Sequence, residues 1–84
     1  MMPALFVLDV PEFAPLVDYA GTRAELTVAA QGEYHKIHSG AEIAIARATT
    51  GLGQAVWFGA LTGGFEGAII EFSETWLIIG PSTK

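Results

Sequence analysis

From Gln31 onward this chain meets a turn signal every few residues, and no stretch between two signals outgrows a short strand. The signals are Gln31-Gly32, Ser39-Gly40, Thr49-Thr50-Gly51-Leu52-Gly53, Thr62-Gly63-Gly64, Ser73-Glu74 and Gly80-Pro81. Glycine reaches backbone conformations that tight reversals need and other residues resist. The stretches between them alternate as strands do. Leu26, Val28 and Ala30 oppose Glu25, Thr27 and Ala29, Glu33 to His38 forms the return strand, and Glu42 to Ala48 sets Ile43, Ile45 and Arg47 against alanines. Ala4 to Val10 is a further apolar run, stopped by Pro11.

One segment has a different period. Phe13, Leu16, Val17 and Ala20 fall on one helical face, so a helix is expected over about residues 12–20. Pro15 lacks the N–H that a helix interior needs and must sit in the first turn, and Gly21 is placed to cap the end. The last third reads as a β meander over about residues 55–79, built from Ala55 to Leu61, Phe65 to Phe72 and Thr75 to Ile79, with residues 81–84 as a disordered tail. The expectation is a single small domain over residues 1–84, mainly β (α+β). It would be a small antiparallel, strongly bent sheet or barrel of about five to seven short strands with one short N-terminal helix.

Composition shows why such a sheet needs company. The 84 residues are 51% hydrophobic and only 15% charged, where ordinary domains carry about 25% charged residues. In the meander Val56 and Phe58 oppose Trp57 and Leu61, Ile70 and Phe72 oppose Ile69, and Trp76 and Ile78 oppose Leu77 and Ile79. Strands that are apolar on both faces must be covered on both, and one helix of two turns cannot do that. A chain this small has too much surface to hide the excess in its own core. The surplus therefore lines a pocket or meets another copy. This points to a homo-oligomer, a dimer first, with a larger partner protein or a small apolar ligand as the other expected partners.

Charge and cysteine content exclude several classes. Net charge is −5, and the four basic residues, Arg23, Lys36, Arg47 and Lys84, are scattered along the chain. Neither nucleic acid nor an anionic membrane surface is expected as a partner, because both are held by clustered cations. Ala48 to Phe65 runs 18 residues without a charge, but its five glycines, three threonines and Gln54 suit buried strands and turns better than a membrane span. There is no cysteine, hence no disulfide and no thiolate nucleophile, which favours a reducing, cytoplasmic setting. The start of the chain lacks a positive n-region, and Asp9 interrupts its apolar run. Absent asparagine and abundant Ala and Gly fit a GC-rich bacterial genome.

Chemistry-bearing candidates are few. Glu33-Tyr34-His35-Lys36-Ile37-His38 is the densest polar cluster. His35 or His38 could serve as acid–base, with Glu33 or Tyr34 assisting. In a strand, His35 shares a face with Glu33 and Ile37, while His38 shares the other with Tyr34 and Lys36. The imidazoles diverge and no metal site is expected. The plainer reading is a half-exposed hairpin strand with solvated charges. Gly51-Leu52-Gly53-Gln54-Ala55-Val56 half-matches a dinucleotide fingerprint, with Glu71 near the expected acidic position, but that motif needs a following helix whose N-terminus holds the pyrophosphate, and Val56 replaces its third small residue. The residues that follow read as strand, so no cofactor is expected.

The aromatics Trp57, Phe58, Phe65 and Trp76 are the ligand or interface candidates, against a plain reading as core. At least one of the two tryptophans should sit at a boundary, since its indole N–H needs a partner. No serine lies in a nucleophile elbow, no carboxylates pair as a dyad, and Asp18 and Glu12 read as solvated helix charges. The function expected is a non-catalytic binding or accessory module that self-associates through an apolar β face around Trp57 and Trp76. The alternative is a small enzyme using a His/Glu acid–base pair on a neutral metabolite in a barrel mouth or subunit cleft.

Overall fold

The N-terminal apolar run folds as strand β1 (Ala4–Leu8), and Pro11 opens a 3-10 turn (Pro11–Phe13) that leads into helix α1 (Ala14–Gly21). The computed structural model describes residues 2–82. Pro15 lies in the first turn of α1, where its missing N–H costs nothing. The helix runs one residue beyond expectation, through Gly21. The cap is Thr22, whose hydroxyl donates to the Tyr19 carbonyl at 2.7 Å.

The protein is mainly β, as the alternation predicts. Strands β2 (Thr27–Gln31), β3 (Tyr34–His38), β4 (Ile43–Ala46), β5 (Phe65–Glu66), β6 (Ala68–Phe72) and β7 (Trp76–Gly80) complete two antiparallel sheets among the described residues. The first sheet has the order β2-β3-β1-β5 and the second β4-β7-β6. Leu5, Val7 and Ile37 from the first sheet meet Ile43, Ile45, Leu77 and Ile79 from the second in one core. Leu16 and Ala20 of α1 join that core.

Three expected strands differ in the structure. Glu42 to Ala48 is strand only as far as Ala46, because Arg47 starts a helical turn, α2 (Arg47–Thr50). There its guanidinium donates to the carbonyls of Glu74 and Leu52. Phe65 to Phe72 is broken at Gly67, which has φ +106. A Cβ at Gly67 would lie 2.5 Å from the Gly80 carbonyl oxygen. The chain turns a corner here, β5 pairing with β1 in one sheet and β6 with β7 in the other. Glycine is the residue that permits so close a backbone approach.

The largest correction concerns Ala55 to Leu61, which begins not as the first strand of a meander but as helix α3 (Gln54–Phe58). A run in which almost every residue is apolar carries no period, so alternation could not distinguish the two. Packing decides. Trp57 and Ala60, three apart, are the residues that reach the core, and the Trp57 indole donates to the Ser73 carbonyl at 2.6 Å. In the expected tail, Pro81 and Ser82 are described, while Thr83 and Lys84 lie outside the described residues.

Candidate functional site

The register of the first sheet places every member of the Glu33–His38 cluster. Leu5 pairs with Ile37 and Val7 with His35, so His35 shares the core-facing side with these three buried residues. His38 pairs with Ala4 and lies on the opposite face with Lys36. The imidazoles diverge, as strand geometry requires. Tyr34, also on that outer face, lies against Gly63.

Glu33 does not orient His35. It is exposed in the turn before β3, and its contribution to β1 is a backbone carbonyl that accepts the Asp9 N–H at 2.9 Å. The carboxylate beside His35 is Asp9, with Oδ1 3.2 Å from Nε2. Continuing the β1–β3 register one pair past Leu8 and Tyr34 sets Asp9 opposite Glu33. Asp9 therefore follows Val7 on the His35 side, within diagonal reach of the ring. Sequence reasoning missed this pair because Asp9 is remote in sequence and looked like an interruption of the first apolar run. The signal that finds it is the pairing of Ala4–Leu8 with Tyr34–His38.

A cleft of about 280 Å³ opens at this point, lined by Leu8, Asp9, Val10 and His35 on one side and by Ala14, Val17 and Asp18 of α1 on the other. Ala14, Val17 and Asp18 are spaced to share one helix face. Asp18, read from sequence as a solvated helix charge, thus faces the His35–Asp9 pair across a small cavity. No group of three or more His, Asp or Glu side chains converges at metal-binding geometry among the described residues.

The aromatic candidates separate. Trp57 is fully buried and is core, so it is unavailable to a ligand or partner. Its ring centroid lies 6.0 Å from that of Phe72, and exposed Phe58 lies 5.4 Å from Phe72 on centroids. Phe65 is exposed on the two-residue edge strand β5. Trp76 is the boundary tryptophan, 39% exposed.

Trp76 belongs to the outer face of the second sheet, where it stands partly exposed. In the second sheet, Leu77 and Ile79 point into the core, so Trp76 and Ile78 point outward, paired with Ala46 and Ala44 of β4. A bulge between Ile69 and Glu71 frees Ile70 from the ladder. Its side chain lies across Gly80, where a Cβ would meet its Cδ1 at 2.6 Å. Ile70 remains 60% exposed. The charged residue paired into this face is Glu71, opposite Ile78, and its carboxylate accepts the Ser73 hydroxyl at 2.9 Å.

The glycine loop keeps its plain reading for a new reason. A helix does follow it, α3, but a helical turn rather than a strand precedes it. The strand–loop–helix unit that holds a pyrophosphate is not formed. Among the described residues, no helix is long and apolar enough to cross a membrane. No protein-family model matches the chain, and no curated protein is detectably similar to it in sequence.

Proposed function

We propose that the protein is a small binding or accessory module that self-associates reversibly through the outer face of the β4-β7-β6 sheet. The observation that carries this reading is that Ile70 and Trp76 stand exposed on a face that also holds Ile78, Ala44, Ala46, Gly80 and one paired carboxylate, Glu71. Isolated surface apolar residues need no explanation, but a contiguous apolar sheet face marks an interaction surface.

The occupant is a second copy of the chain. With net charge −5, two copies repel over most orientations, and this is a face where few charges oppose. Glu71 is its paired-in carboxylate and is already engaged by Ser73. An isologous two-fold contact brings such a patch against itself without setting a row of like charges together.

The area limits the strength. A three-stranded face of four- and five-residue strands is only about 16 × 14 Å at standard strand spacings, whereas stable interfaces bury about 800 Å² per partner. Association should fall in the micromolar range or weaker and depend on concentration. Native mass spectrometry of the freshly purified chain over a concentration series tests the reading. Dimers that grow in with concentration are expected. A monomer carrying a stoichiometric small molecule would replace this reading with that of a ligand carrier.

A further inference from the structure

We draw no further inference here: the strongest candidate, the apolar cleft of about 370 Å³ between the 3-10 turn and helix α3, lined by Leu8, Val10, Phe13, Ala55 and Val56, is an open groove, and nothing in the structure shows what covers it.

Discussion

Gly67 is the residue at which chain geometry leaves least choice. Its φ of +106 and the 2.5 Å approach that a Cβ would make to the Gly80 carbonyl act together, and neither is relieved by a side-chain movement. Gly67→Ala should destabilise the fold by at least about 2 kcal/mol, read from the urea midpoint. A change within about 0.5 kcal/mol would mean that the corner is not strained. By contrast, the Asp9–His35 pair contributes little to stability. Asp9 is 70% exposed at its side chain, and water screens such pairs, so Asp9→Asn should cost no more than about 1 kcal/mol.

At the same scale, the Glu25 carboxyl is held below its ordinary range by its own backbone amide and by Arg23 at 3.1 Å. A depressed carboxyl stabilises the fold above its unfolded-state value, and that contribution is lost as pH falls through the folded one. Both partners are open to water here, so the effect is minor.

Elements were legible in the sequence where their period was clean. Phe13, Leu16, Val17 and Ala20 announced α1, and the alternation at Leu26 to Ala30 and Ile43 to Ala46 announced strands. Ala55 to Leu61 was not legible, since uniform apolarity supports a strand and a helix equally, and the deciding facts were tertiary: the slot for Trp57 and the Ser73 carbonyl that receives its indole. The same limit hid the His35–Asp9 pair, which exists only once β1 and β3 are in register, and the break at Gly67, which exists only because two sheets share one chain segment. Trp57→Phe isolates the role of α3. It keeps most of the buried ring but leaves the Ser73 carbonyl without its donor, and it should cost about 1–2 kcal/mol by chemical denaturation. A neutral substitution would show that ring burial alone anchors the helix. The variant also leaves Trp76 as the sole tryptophan, whose selectively excited emission acrylamide should quench readily in dilute solution and less as copies associate.

The whole molecule resolves the excess of apolar residues only in part. Two sheets and α1 bury one side of each β layer, as the pattern of Leu5, Val7, Ile37, Ile43, Ile45, Leu77 and Ile79 demands. Leu8, Phe58 and Phe65 stay exposed at scattered positions, and the rest is the outer side of the second sheet, where the alternation of Trp76 and Ile78 against Leu77 and Ile79 already required a cover. The sequence could state that requirement but could not say which tryptophan served it, because both sit in apolar runs and only packing separates core from surface. Sedimentation equilibrium on the wild-type chain and on Ile70→Glu, across concentrations spanning the micromolar range, tests the self-association most directly. Ile70 is 60% exposed and lies in a bulge, so the folded monomer should accept the charge, with an unchanged circular dichroism spectrum as the check. A wild type that dimerises with concentration and a variant that remains monomeric is the predicted result. A wild type that stays monomeric throughout, or a variant that dimerises equally well, would contradict it.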